Sequence, residues 1–436
     1  MLEEFKNRVW SFLEVSRHYI LSDCIALFQI MIKYFKTLIT KFPISPIKVF
    51  SAPSTAFRIW RTVQLPLLKK DNLSVYDLSH NLDSQLRSGY CGGIVDVYRP
   101  HLEGIGYYYD VNSLYPTAMC RPMPVGMPNP VKLSGGTFSG LFFSEELRFA
   151  LANGYTLLSI KLAYQFKRGD NTFLQLITQL NSMKIEAQRN NQPTIRNLAK
   201  LLMNSMYGRF GMHPSLTKHY IWTQEQIDRI AAHWQIENQI DFGELHMITA
   251  LLDRDYILKT HGEAELRKSL EELGNKTNVA IAAAVTAYSR IIINTYKLKA
   301  LELGLELYYS DTDSLVVNGP LPENMIDSAT LGKLKLEHTF KEGIFVMPKV
   351  YFLELEDGST VAKCKGFPGK LTKAQYLELL GGKAQHLEVT KWSRSLAESY
   401  VKIEAKRPYD LRFTFNKRQQ VFNAQGQWIN TRPIQL

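Results

Sequence analysis

The chain has 436 residues, 45% hydrophobic and 21% charged, which suits a folded protein of about two to four domains and excludes a disordered tract. A formal charge of +11 favours a polyanionic partner, nucleic acid or a membrane surface, over the simpler reading of a solubility surplus. Cys24, Cys91, Cys120 and Cys364 are scattered without a C-x-x-C pair, which excludes a zinc ribbon or disulfide framework and predicts a reducing compartment.

Residues 5–41 carry helical periodicity, and the N-terminal "MLEEFKNRVW" has neither a signal peptide's apolar run nor a transit peptide's acid-poor composition. The most apolar early stretch, Ile25 to Ile32, lies between Asp23 and Lys33 and is too short to span a bilayer, so no membrane partner is expected. Strand signals cluster at 93–98 ("GIVDVY") and 105–111 ("IGYYYDV"). Asp110 ends that aromatic strand, and "SLYP" reads as a helix start closed off by Pro116. The Pro/Gly-rich 120–140 segment predicts loop and hairpin.

Residues 172–208 predict helix, broken by "RNNQP". On the second half Arg196, Lys200 and Asn204 fall at i, i+4, i+8 and share a face, with Tyr207 near it and Lys184 at the end of the preceding run. Two cations and an amide in a row suit a triphosphate, although an isolated basic face is more simply a solvated one. A mixed segment fills 213–275, and the apolar run at 278–304 contains Arg290 and Lys297, so it predicts a buried helix of a soluble fold. In "LYYSDTDSLVV", Leu307 to Val317, two acids occupy the centre of an apolar hairpin. Alone, such a D-x-D is most simply a turn. Together with Asp110 it makes three carboxylates at strand ends, whose mutual repulsion calls for a cation. Hard oxygen ligands suit Mg²⁺, with Mn²⁺ as an alternative, and paired ions suit in-line phosphoryl displacement. Beyond Val361 the chain holds 14 Lys/Arg against 5 Asp/Glu, interleaved with Tyr376, Trp392, Tyr400, Tyr409, Phe413 and Phe415, the pattern of a folded basic surface.

"DVNSLYP", "KLLMNSMYG" and "YSDTDS" resemble motifs A, B and C of family B DNA polymerases, in order. "YCGG" (Tyr90 to Gly93), "TAYSR" (Thr286 to Arg290), "KVY" (Lys349 to Tyr351) and "KCKGF" (Lys363 to Phe367) are similar to accessory motifs of the protein-primed branch, from phages, adenoviruses and mitochondrial linear plasmids. Ser289 departs from the usual Gly/Ala of the second of these. The resemblance implies an α+β right-hand polymerase with an antiparallel-sheet palm, helical fingers and thumb, plus an exonuclease remnant. The implied divisions are remnant 1–88, palm 89–121 and 276–368, fingers 171–212 and thumb 369–436. Segments 122–170 (the priming-protein region) and 213–275 are implied insertions.

It implies catalysis by Asp110, Asp311 and Asp313, with two Mg²⁺ ions held chiefly by Asp110, Asp313 and the Val111 backbone. Ser113 and Leu114 would present backbone to the triphosphate, and Tyr115 would be the gate that rejects a 2′-OH. Lys184, Arg196 and Lys200 would grip the triphosphate, and Asn204 and Tyr207 would line the nascent base pair. Tyr90, Gly92, Gly93, Thr286, Arg290 and Lys365 are expected at DNA, with Lys349 and Tyr351 at the primer terminus. Expected partners are primer-template DNA, dNTPs and a terminal priming protein, and the expected location is the mitochondrion. "YILSD" (Tyr19 to Asp23) resembles the third proofreading motif, but residues 1–18 lack the D-x-E of the first, so the expectation is a C-terminal portion or truncated frame without proofreading. A metal-dependent nuclease and an inactive DNA-binding relic stay open as alternatives.

Overall fold

A computed structural model describes residues 11–45, 51–71, 73, 75, 78–132, 140–212, 217–231, 234–272, 277–367, 369–395, 400–414 and 417–432. Residues 5–10 of the first expected helix, Phe415, and parts of both expected insertions lie outside this set. The first half contains α1 (Phe12–Lys41), α2 (Ala52–Val63), α3 (Leu65–Lys70), α4 (His80–Arg87), β1 (Val95–Val97), β2 (His101–Val111) and α5 (Leu114–Met119). Next come β3 (Met123–Lys132), α6 (Ser144–Ala152), β4 (Leu162–Gly169), α7 (Leu174–Arg189) and α8 (Pro193–Gly211). They are followed by β5 (Thr217–Trp222), α9 (Gln224–Ile230), β6 (Trp234–Phe242), β7 (Leu245–Leu252), α10 (Arg254–Thr260), α11 (Gly262–Glu272) and α12 (Val279–Glu302). The rest is β8 (Leu307–Asp311), β9 (Ser314–Val317), β10 (Leu334–Met347), β11 (Val350–Leu355), β12 (Thr360–Cys364), α13 (Lys373–Leu380), β13 (Gln385–Ser395), β14 (Tyr400–Leu411), β15 (Gln419–Phe422) and β16 (Trp428–Arg432).

The chain divides into two compact units, residues 1–74 with 171–209 and residues 75–170 with 210–436. In the first, α2 is tied to the start of α7. Trp60, 1% exposed, donates its indole N–H to the Thr172 carbonyl at 2.8 Å and packs on Phe173. Gln64 donates to the Asn171 carbonyl at 2.9 Å, and the Arg209 guanidinium lies 5.8 Å from the Phe57 ring centre. Ser51 caps α2 and Pro53 sits in its first turn, where a missing N–H costs nothing. The segment read as an exonuclease remnant therefore supplies a helix packed with the helices read as fingers. By contrast, α1 leaves Leu21, Leu27, Phe28 and Ile30 each at least 60% exposed.

The second unit is built on a seven-stranded antiparallel sheet in the order β1-β8-β9-β2-β10-β11-β12. Alternation along each strand gives it two apolar faces. Tyr109, Val111, Leu315 and Val317 share one core cluster with Ile293 and Ala300 of α12. Tyr108, Val316, Phe340, Phe345 and Tyr351 form another. Burial of α12 follows from its alanines: Ala280, Ala282, Ala284 and Ala287 are at most 6% exposed, and small side chains permit close packing. Asn278 caps its N-terminus by accepting from the Ile281 N–H.

Three expectations give way. The Pro/Gly-rich 120–140 segment is a strand over β3, paired with β4 across a register shift between Val125 and Asn129. A two-stranded sheet lets prolines point their missing N–H away from the partner. Pro116 does not end a helix but lies in the first turn of α5, again where no N–H is needed. The thumb region holds one helix, α13, followed by the hairpins β13–β14 and β15–β16, so the expected helical thumb is mostly strand among the described residues. Segment 217–272 is a separate three-stranded sheet, β5-β7-β6, whose Ile248 and Ala250 pack with Ile227 of α9.

Candidate active site

Sheet register brings the acids together. Asp110 pairs across strands with Ser314, and the Val111 N–H donates to the Asp313 carbonyl at 2.8 Å. Asp311 is the last residue of β8, opposite Val95. The connection between β8 and β9 is only Thr312-Asp313, so the two acids are fixed by the hairpin itself. Thr312 takes a positive φ of 58°, a region that β-branched residues rarely enter. It is held there by its N–H donating to the Ile94 carbonyl at 2.8 Å. Ser314 closes the turn: its hydroxyl accepts from the Asp311 N–H at 3.0 Å.

Asp311 is engaged by a cation. Lys349 donates to both of its carboxylate oxygens, at 2.5 and 2.8 Å. Lys349 itself has φ 65°, and its N–H donates to the Tyr309 hydroxyl at 2.9 Å. Tyr309, Tyr351 and Phe345 form a ring cluster beneath the turn, with Tyr309–Tyr351 centroids 5.2 Å apart. Burial first, then neighbouring Asp311, pushes the Tyr309 hydroxyl well above the ordinary tyrosine range, so it stays protonated. Tyr108 is likewise raised by burial, with bonds to Tyr351 and Ser314.

Beyond Asp110 the chain turns sharply. The Asn112 amide donates to the Ser328 and Thr330 carbonyls at 3.1 and 3.0 Å, and its N–H donates to the Lys333 carbonyl at 2.8 Å. Ser113 follows with φ 56°, leading into Leu114, which is buried, and Tyr115, half-buried. Tyr90 lies near Tyr115 and is raised chiefly by burial; a Cβ on Gly211 would come within 2.6 Å of its ring. Gly93 abuts the acid turn so closely that a Cβ there would lie 2.7 Å from Thr312 Cγ2. Gly92 has open space around it.

Thr286 is 2% and Arg290 8% exposed. The Thr286 hydroxyl donates to the Ala283 carbonyl, and Arg290 bonds Glu146 and the carbonyls of Cys91 and Gly92. Both side chains, expected at DNA, make these bonds inside the fold. Tyr351 is 9% exposed, and Lys365 is exposed with its N–H on the Lys349 carbonyl at 3.1 Å.

In the other unit, α8 carries Arg196, half-buried and donating to Gln188 at 3.3 Å, then exposed Lys200 and Asn204 and half-buried Tyr207. Lys184 of α7 has its pKa lowered, first by burial and then by repulsion from Arg196 and Lys200. These three cations therefore share one electrostatic neighbourhood. Tyr19 and Asp23 lie one turn apart on α1, both exposed.

Sequence reasoning missed the Asn112 side-chain amide, Glu146 and the Lys349–Asp311 pair. Among the described residues no three His, Cys, Asp or Glu side chains close into a group that could hold an ion. Asp110, Asp313 and the Val111 carbonyl, neighbours along two hydrogen-bonded strands, would offer a partial set of hard oxygen donors. Mg²⁺ suits such a set, because it takes one or two carboxylates and completes its shell with water and substrate phosphates.

The family model for DNA polymerase type B, organellar and viral, matches residues 1–134 and 130–299. A probable DNA polymerase of Podospora anserina is 30% identical over 98% of this chain and 39% of its own length. One from Ascobolus immersus is 31% identical over 100% and 38%. The structure of phi29 DNA polymerase with primer-template DNA and incoming nucleotide aligns with TM-score 0.59 at 18% identity, covering 84% of this chain and 68% of that one. The chain belongs to the organellar and viral type B DNA polymerases. It spans about two fifths of the length of those two fungal relatives.

Proposed function

We propose that this chain carries the nucleotidyl-transfer portion of a template-directed DNA polymerase, adding dNTPs to a primer 3′-OH. The observation that carries the reading is the Val111 N–H to Asp313 carbonyl bond, which joins the backbones of the two acid-bearing strands. Asp110 and Asp313 with the Val111 carbonyl would hold Mg²⁺, or Mn²⁺ in its place. The ions, when bound, neutralise charge on the attacking and leaving oxygens of the displacement. Asp311, paired with Lys349, holds the turn rather than an ion. Positioning and charge neutralisation are most of what phosphoryl transfer asks of a protein.

Ser113 and Leu114 present backbone to the triphosphate, and Tyr115 excludes a 2′-OH. On α7 and α8, Lys184, Arg196 and Lys200 grip phosphate while Asn204 and Tyr207 line the new base pair. Lys349 and Tyr351 support the primer terminus, Tyr90, Gly92 and Gly93 the template loop, and Lys365 the duplex phosphates. The basic residues beyond Val361 form the thumb surface, whose contacts with phosphate carry no sequence information. A terminal priming protein at 122–170 and a mitochondrial setting complete the proposal.

Primer extension with Mg²⁺ and dNTPs tests it. Lengthening of a labelled primer on a template is the expected result. Shortening of the strand would assign a nuclease, and DNA binding with no change in length would assign a relic.

A further inference from the structure

We propose that Glu146, in the segment between motifs A and B, is a positioning residue for the acid turn, acting through Arg290 and the Tyr90–Gly93 loop. The inference rests on the polymerase reading only for its kinetic consequence. Its physical content is a chain of four contacts.

Glu146 lies in the first turn of α6, and its carboxylate takes two N–H groups from Arg290, Nε at 2.6 Å and Nη2 at 2.7 Å. Arg290 comes from the buried stretch of α12, with a side chain 9% exposed. Its Nη1 donates to the carbonyls of Cys91 and Gly92, at 2.5 and 3.0 Å. The guanidinium is thus a planar rivet between a carboxylate on one side and a loop backbone on the other. In the next two residues, Gly93 lies close against the Thr312 side chain and the Ile94 carbonyl accepts the Thr312 N–H. Thr312 separates Asp311 from Asp313 and keeps a left-handed φ that a β-branched residue rarely adopts. The loop holds Thr312 in that conformation, Arg290 holds the loop, and Glu146 fixes the plane of Arg290.

Without the carboxylate the guanidinium keeps its charge and its burial but loses the partner that sets its orientation. It then swings toward other acceptors, the loop carbonyls are released, and the Thr312 turn relaxes. Neutral replacement should therefore disturb residues 90–97 and 306–317, far from position 146 in sequence, before it disturbs the rest of the sheet. Outer partners of a metal-binding or catalytic group typically matter by about 10- to 100-fold.

The test combines hydrogen exchange with steady-state kinetics on the full chain, for Glu146→Gln and Glu146→Asp. For Glu146→Gln we expect exchange at the Thr312 amide to rise about 10-fold, with β11–β12 unchanged. The kcat for extension should fall about 10- to 100-fold. Glu146→Asp retains the charge and should recover part of both. Uniformly faster exchange across the sheet, or unchanged exchange at Thr312, overturns the proposal. So does a loss confined to DNA affinity. If Glu146→Gln does not fold, Gly93→Ala probes the same chain from its other end. Its Cβ cannot be seated against Thr312 without displacing the turn, and unaltered exchange at Thr312 there would overturn the link. Should the wild-type chain fail to extend primers, the polymerase reading falls, while the exchange measurement still decides this one.

Discussion

The acid turn and the basic face of α8 are held in opposite ways. Asp110, Asp311 and Asp313 sit where backbone hydrogen bonds, a two-residue connection and a glycine contact leave little freedom. Lys200 and Asn204 project from a helix into solvent, and Arg196 donates a long side-chain bond to Gln188. Carboxylates that must hold ions at a set separation need a rigid frame. Cations that must follow a flexible triphosphate need reach. Substitutions in the first region should therefore act on kcat, and in the second on KM.

Asp313→Ala should break the comparison most. Primer extension is expected to fall by about 10³-fold or more, with DNA binding retained in a gel-shift measurement. Retained extension would remove Asp313 from catalysis. Next, Tyr115→Val should lower discrimination against ribonucleotides by about 10²-fold, read as the ratio of kcat/KM for dNTP and rNTP. Lys200→Ala is milder: the KM for dNTP should rise about 10-fold, the size of one lost charge-assisted bond, with kcat nearly kept. A change in DNA affinity alone would reassign it.

The smallest expected effect on extension is that of Lys297→Met, which tests the frame rather than the site. Lys297 is 5% exposed on α12, donates to the Tyr98 hydroxyl at 3.2 Å, and has Asp96 and Arg418 nearby. Burial above all lowers its pKa from 10.5 to about 8. Because the folded-state value is the lower one, the folded chain binds fewer protons than the unfolded chain between about pH 8 and 10.5. The cost of the buried charge is full below pH 8 and shrinks as pH rises through that window. The gap corresponds to about 3 kcal/mol, so Lys297→Met should stabilise the fold by up to that amount at pH 7 and by much less at pH 10. Equal gains at both values, measured by denaturant unfolding, would contradict the sign.

The acid hairpin was legible because two carboxylates interrupt an apolar run, and α12 because its apolar period is long. The motifs then told which strand would lie beside which. Other features had no local signature. Lys349 meets Asp311 across 38 residues, Arg290 meets Glu146 across 144, and Trp60 meets Thr172 across 112. A tertiary hydrogen bond imposes no period on a sequence. Nor does a proline reveal whether its missing N–H faces a partner, which is why β3 read as a loop and Pro116 as a stop. The resemblance named Arg290 as a DNA contact, and no local signal foretold that its side chain would be buried on Glu146 and the Cys91 and Gly92 carbonyls.

The strand order has a consequence for biosynthesis. Strand β2 is completed at Val111, yet both of its neighbours, β9 and β10, are encoded beyond Ser314. A nascent chain must therefore carry an aromatic strand with two unpaired edges while about 200 further residues are translated, a condition that invites misassociation. Ribosome-bound chains stalled before residue 314 should require chaperone shielding, and release from it should coincide with emergence of the Asp311–Asp313 hairpin.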